Sequence, residues 1–138
     1  MRRTLSILLL LAVTLWSADD LAEKIRIQNQ NVVKAAAEAM NKELPQKVDP
    51  YTTLIAIRPE GETLHYIFEI DAGPKSDEQI VKEGEARMRR NVTAGLCSTS
   101  QRFLKSGITI LYDYRSAKTK KPLFRIAVDE KRCNTPLQ

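Results

Sequence analysis

Apolar residues recur along residues 20–44 at intervals of three, four or seven positions, which is the spacing of one face of an α-helix. Asp19 or Asp20 is placed to cap the start of such a helix, and Pro45 and Pro50 are placed to end it. We therefore predict one helix from about residue 20 to residue 44.

Four later segments have the composition or the alternation of β-strands, namely residues 51–58, 63–71, 108–115 and 123–129. A short turn at residues 59–62 separates the first two segments, and a polar, basic connection at residues 116–121 separates the last two. Short connections of this kind predict two β-hairpins.

Helical signals fill the chain between the two hairpins. Ser76 and Gln79 have the spacing of a capping box, and an apolar stripe follows at Val81, Met88 and Val92. A further short helix is expected at residues 101–105, ending at Gly107. The order α-β-β-α-α-β-β indicates an α+β domain with a single antiparallel four-stranded sheet built from two hairpins, covered on one face by two or three helices.

The N-terminus has the three parts of a signal peptide: Arg2 and Arg3, an apolar run over residues 5–15, and small residues at Ser17 and Ala18. We predict a signal peptide at residues 1–18, one domain at residues 19–133 and a loose tail at residues 134–138, in a periplasmic or secreted protein. Trp16 stands where cleavage favours a small residue. The alternative is an uncleaved tether, and membrane association is expected only in that case.

Export changes the interpretation of the two cysteines, Cys97 and Cys133. An even count in an oxidising compartment predicts a disulfide, which would close a loop of about 37 residues and add about 3–4 kcal/mol of stability. A redox pair usually has the spacing Cys-x-x-Cys, and a structural zinc site needs four ligands, so both alternatives have little support. No metal site and no cofactor are predicted.

Charge is distributed unevenly along the chain. Residues 19–86 carry 8 basic and 14 acidic side chains, whereas residues 87–138 carry 12 basic and 3 acidic ones. The basic half can form a patch for an anionic partner, with Arg87, Arg89, Arg90, Arg102 and Lys105 as candidates. The alternative is that the halves neutralise each other across the folded surface. Nucleic acid is not an expected partner, because aromatic residues do not interleave the basic stretch.

Catalytic chemistry has few candidates in this sequence. His65 is the only histidine, and the nearby Glu69 lies about 13 Å away at the rise of a strand, so we interpret His65 as a solvent-facing strand residue. Asp71, Asp77 and Glu78 do not have calcium-loop spacing and indicate a solvated turn. No catalytic residues are assigned.

The C-terminal half resembles a known group of exported bacterial proteins. The segments that carry the resemblance are Leu96-Cys97-Ser98, residues 102–107, residues 110–115, residues 124–128 and Cys133. They are similar to the AspS-type pilotins of type II secretion and the related quorum-sensing-regulated virulence factors. The resemblance implies a sheet covered by helices, with a disulfide. Those pilotins are lipoproteins, whereas this chain has no cysteine before Asp19.

Three hypotheses follow for the function. The first is a non-enzymatic exported binding or accessory protein that serves an envelope or secretion assembly, with another envelope protein as its partner and no small-molecule cofactor. The second is an inhibitor or immunity protein for an exported enzyme. The third is a small hydrolase with an unrecognised site around His65.

Overall fold

A computed structural model describes residues 2–136, with side chains from residue 17 onward. Its elements in chain order are α1 (Arg2–Asn41), β1 (Gln46–Asp49), β2 (Thr52–Glu60), β3 (Thr63–Ile70), α2 (Asp77–Thr99), α3 (Gln101–Lys105), β4 (Thr109–Ser116), β5 (Pro122–Val128) and α4 (Glu130–Cys133). The expected α+β class is confirmed, as are both hairpins, the Ser76 capping box and the short helix α3.

The sheet differs from the prediction of four antiparallel strands. It has five strands in the order β1-β2-β3-β4-β5, and β3 pairs with β4 in parallel. The reason is the connection between the hairpins. After β3 the chain crosses the sheet through α2 and α3 and returns to the end at which β3 began, so β4 starts beside Thr63 and runs in the same direction. The sheet is therefore mixed.

Two short elements carry no sequence pattern that would predict them. β1 has four exposed residues without alternation, and it exists because Gln46 and Lys47 pair with the edge of β2. α4 is one turn long and begins at a cap formed by Asp129, whose side chain accepts the backbone N–H of Arg132. The predicted loose tail includes Leu137 and Gln138, which lie outside the described residues.

One face of the sheet holds the hydrophobic core. Residues of β2 to β5 that point to this face are buried under α1 and α2: Leu54, Ile57, Leu64, Phe68, Ile110, Tyr114, Phe124, Ile126 and Val128. Val33 and Ala37 of α1 pack against β2, and Leu96 of α2 packs on the β5 side of the same cluster. Within the described residues the helices cover this face alone, as the pattern of the strands predicts.

Two asparagines attach α1 to the sheet. The Asn41 side chain donates to the carbonyl of Ile57 (2.6 Å) and accepts its N–H (3.0 Å). The Asn29 side chain donates to Glu62 (2.8 Å) and to the carbonyl of Ser106 (2.7 Å). The helix was expected to run from about residue 20 to 44. It ends earlier, at Asn41, and its backbone continues N-terminally through the predicted signal segment, whose cleavage stays a prediction.

A disulfide joins Cys97, near the end of α2, to Cys133 at the end of α4. The two Cα atoms lie 5.5 Å apart, within the distance that such a bond requires. The bond connects the helical layer to the segment that follows the last strand, so it closes the fold across the end of the core.

We expect the variant Cys97→Ser/Cys133→Ser to be less stable by about 3 kcal/mol, because its unfolded chain is no longer constrained by the 36-residue separation. Urea unfolding of the oxidised chain and the variant measures the difference. With a reducing agent present, the two proteins should unfold at the same urea concentration. Equal stability under oxidising conditions would contradict the prediction.

Candidate functional site

A cleft of about 960 Å³ opens at one end of the sheet, between the β1–β2 turn, the loop after β3 and α2. Its floor includes Thr52 and Ile70, and its walls include Tyr51, Ile80 and Met88. Tyr51 is 63 % exposed, although it is one of the largest apolar side chains of the domain. The cleft is therefore an accessible and partly apolar surface on the helical side of the sheet.

Local hydrogen bonds hold the rim of this cleft. Asp49 accepts the backbone N–H of Tyr51 (2.8 Å), and Asp71 accepts that of Gly73 (3.2 Å). Gly73 has a φ of +63°, a conformation that residues with a side chain rarely adopt. The predicted solvated turn at Asp71 is thus an ordered loop. Its end is fixed by the reciprocal capping bonds between Ser76 and Gln79.

A row of aromatic rings crosses the core face of the sheet beneath the helices. Phe68 lies 4.8 Å from Tyr112 and 4.9 Å from Tyr114, and Tyr114 lies 5.0 Å from Phe124, measured between ring centroids. Burial, followed by the neighbouring Tyr112, raises the pKa of Tyr66 to about 12. Burial also raises the pKa of Tyr112 and Tyr114, so these rings stay neutral and pack as apolar groups.

Among residues 2–136, no helix covers the opposite face of the sheet, and the polar side chains of this face bond to one another. His65 lies at its centre and is only 4 % exposed. One ring nitrogen (Nδ1) is 2.7 Å from Glu60, and the other (Nε2) is 3.1 Å from Asp113. Arg125 and Arg115 also donate to Asp113, at 3.1 and 3.4 Å. The prediction of a solvent-facing histidine is therefore wrong.

Asp113 is fully buried on this face, which makes its charge state important for stability. Burial by itself raises the pKa of Asp113, but the hydrogen bond from His65 and the charges and hydrogen bond of Arg125, with Arg115, outweigh it and hold the pKa below its ordinary value. All three donors reach the same oxygen, Oδ2, and Oδ1 has no hydrogen-bond partner among the described residues.

This arrangement leaves His65 little catalytic capacity. Each ring nitrogen already lies within hydrogen-bond distance of a carboxylate oxygen, with Glu60 as the partner of Nδ1 and Asp113 as the partner of Nε2. A general base needs a free ring nitrogen near a substrate. Glu60 and Asp113 also lie at opposite nitrogens and cannot share one metal ion with the ring, and no cluster of metal-ligating residues exists between residues 2 and 136.

The structure does not bring the five predicted basic residues together. Arg89 and Arg90 line a hollow on one side of α2, whereas Arg87 lines the cleft on its other side. Arg102 and Lys105 lie on α3 and line neither of these surfaces. The hollow also contains Lys82 of α2 and Arg132 of α4, which are not among the five predicted residues. Arg132 lies on a one-turn helix that the sequence pattern does not predict.

Local sequence patterns do not predict the His65 network, because its members lie on four different strands, β2 to β5. The sequence predicts a turn at Glu60, but this residue belongs to β2, and Asp113 reaches His65 only through the parallel pairing of β3 and β4. A signal was present in the segment Tyr112-Asp113-Tyr114, where one carboxylate stands between two aromatic residues of a strand. Such a carboxylate points to the other face and needs a partner there.

Comparison with known proteins places the chain in a family. A family described as a domain of unknown function, DUF8479, matches residues 28–124. The chain belongs to the DUF8479 family. No curated protein is similar enough in sequence to count as a relative. The matched range includes the β2–β3 hairpin, α2, α3 and β4, and it ends inside β5, before the second cysteine of the disulfide.

Solved structures share the fold of this DUF8479 chain at low sequence identity. PA3611 from Pseudomonas aeruginosa, described as a candidate secreted protein, has a TM-score of 0.69 at 16 % identity, covering 79 % of this chain and 96 % of its own. EpsS, the pilotin of the Vibrio vulnificus type 2 secretion system, has a TM-score of 0.69 at 12 % identity, covering 83 % and 98 %. AspS, the type II secretion pilotin of Vibrio cholerae, scores 0.59 at 14 % identity, covering 81 % and 98 %.

These likenesses confirm the resemblance to pilotins at the level of the fold. They cover almost the whole of the pilotin chains, so the DUF8479 chain carries the complete pilotin-like fold. In the described part of this chain, no helix is both long enough and apolar enough to cross a bilayer.

We expect Asp113→Asn to destabilise the DUF8479 chain by about 1–3 kcal/mol at pH 7, because His65 and two arginines lose their shared anion. The native pKa of Asp113 lies below that of the unfolded chain, so the stability it provides is present above about pH 4 and is lost as the pH falls through the native pKa. The difference between the proteins should therefore shrink in acid.

Urea unfolding over a series of pH values measures this difference, with Asp71→Asn on the exposed rim of the cleft as the matched control. A difference for Asp113→Asn that stays constant from neutral pH into acid would contradict the role given to its charge.

Proposed function

We propose that this protein is an exported, non-enzymatic accessory protein that binds another envelope protein of a secretion assembly. The observation that carries the proposal is the fold, which is shared with two secretion pilotins over nearly their full length. The signal-like N-terminus supports export. Both ring nitrogens of His65 contact carboxylates, so the hydrolase hypothesis has no general base at that residue.

The cleft beside Tyr51 is the surface that suits such a partner best. It combines apolar groups, the exposed Tyr51 and the half-buried Met88 among them, with charges of both signs at its rim. Exposed aromatic residues in concave surfaces are common anchors of protein–protein interfaces. Glu83 is already paired with Lys75, so the rim has little net charge and favours an apolar segment of the partner.

Separation of the five predicted basic residues weakens the inhibitor hypothesis. That hypothesis needs one continuous basic face opposite an acidic enzyme cleft, and Arg87 lies on a different side of α2 from Arg89 and Arg90.

A photo-crosslinking amino acid at position 51, introduced into the full chain in its native cells, tests the proposal. We expect it to capture one envelope protein of a secretion assembly, because Tyr51 is exposed at the mouth of the cleft. The same amino acid at Lys105, which is exposed on α3 away from the cleft, is the control and should not capture that protein.

The variant Tyr51→Ala should reduce co-purification of the captured protein about ten-fold, a loss of about 1.4 kcal/mol. The proposal fails if no product is specific to position 51. It also fails if the purified chain turns over a substrate and His65→Ala removes that activity.

A further inference from the structure

The outer edge of β5 has backbone groups that are free to bind. β5 is the last strand of the sheet formed by the described residues, and within them only one of its sides is paired. Ser116 of β4 donates to Lys121 (2.9 Å), and Thr109 of β4 donates to Glu62 on the β3 side (3.0 Å). The backbone groups of successive strand residues point to opposite edges of the strand. Every second residue of β4 therefore directs its N–H and C=O groups towards β5.

This alternation fixes which residues of β5 face outward. Phe124, Ile126 and Val128 pair with the residues of β4 that face β5, so their backbone groups are used within the sheet. Arg125 and Ala127 therefore present their N–H and C=O groups to the outside, and no hydrogen bond to these groups occurs within residues 2–136. Pro122 protects only the beginning of this edge.

A basic depression runs beside the same edge. Two hollows of about 430 and 380 Å³ share Val81 and Lys82 of α2. One of them reaches Pro122 and Leu123 at the start of β5, and the other extends towards α4, which follows the end of β5. The two hollows together therefore follow the side of the domain on which α2 covers the edge strand.

The charges in this depression are predominantly positive. Its cationic side chains are Lys82, Arg89, Arg90, Lys121 and Arg132. Of the acids, Glu85 is paired with Arg89 (2.7 Å), and Asp77 accepts the hydroxyl of Thr119 (2.6 Å). The remaining acid, Glu78, lies at the opposite end from Arg132, so the α4 end keeps an excess of positive charge.

From the open edge and the basic depression together, we infer that β5 binds an extended acidic segment of a partner protein by strand addition. The backbone of the segment pairs with Arg125 and Ala127, which supplies affinity without sequence preference. Its acidic side chains on the helical side face the cations of the depression, which selects the partner by charge. This surface lies on the other side of α2 from the cleft at Tyr51 and is independent of it.

Selection from a phage-displayed library of random peptides of about ten residues, against the immobilised full chain, tests the inference. We expect the selected peptides to be rich in Asp and Glu. Ala127→Pro should weaken their binding at least about ten-fold, because it removes one outward N–H without breaking a bond inside the sheet. Ala127→Val keeps the N–H and favours the strand, so it should bind like the original chain.

Charge reversal provides a second test that does not depend on a proline variant folding. Arg90→Glu with Arg132→Glu should also weaken peptide binding about ten-fold, whereas Arg87→Glu, on the cleft side of the same helix, should not. The inference is overturned if no peptide is selected, if the selected peptides are not acidic, or if neither Ala127→Pro nor the double reversal weakens binding.

Anionic phospholipid vesicles test whether the depression binds lipid headgroups and not an acidic peptide. Vesicle binding that is lost with Arg90→Glu/Arg132→Glu but unaffected by Ala127→Pro, without selection of acidic peptides, would assign the depression to lipid headgroups and overturn strand addition. Because none of these variants alters Tyr51, the result is independent of crosslinking at the cleft.

Discussion

Burial of a single face of the sheet is the constraint on which the rest of this structure depends. α1 and α2 together cover the face that carries Leu64, Ile126 and Val128, and the crossover through α2 is what makes β4 parallel to β3. The same crossover places α2 above the edge strand, where its two sides border the cleft and the basic depression. The candidate binding surfaces are thus consequences of how the core is covered.

The uncovered face must satisfy its polar groups without help from another layer. Asp113 is fully buried there because its neighbours, His65, Arg115 and Arg125, close around it from three strands. Ile67, beside Asp113 in the register, is also buried on this face. This hydrogen-bonded network connects side chains of neighbouring strands and so stabilises the uncovered face. It also engages both ring nitrogens of His65, the histidine considered for catalysis.

Local signals in the sequence were sufficient for most elements and insufficient for their arrangement. The alternation around Leu64 and the capping box at Ser76 predict the strand and helix correctly, because both depend on neighbouring residues. The parallel β3–β4 pairing depends on a long crossover, which no local pattern encodes. The partners of His65 could not be predicted for the same reason, since Asp113 lies 48 positions away. Arg132 escaped notice because a one-turn helix leaves almost no periodicity.

Residue-resolved amide hydrogen exchange of the full chain tests the arrangement of the sheet most directly. If β5 pairs only with β4, the amides of Ile126 and Val128 exchange slowly, whereas those of Arg125 and Ala127 exchange fast although they lie in the same strand. All amides of β3 and β4 should be protected, because each of these strands is paired on both of its sides. Uniform protection along β5, or fast exchange in β4, would contradict a mixed sheet with an open edge at β5.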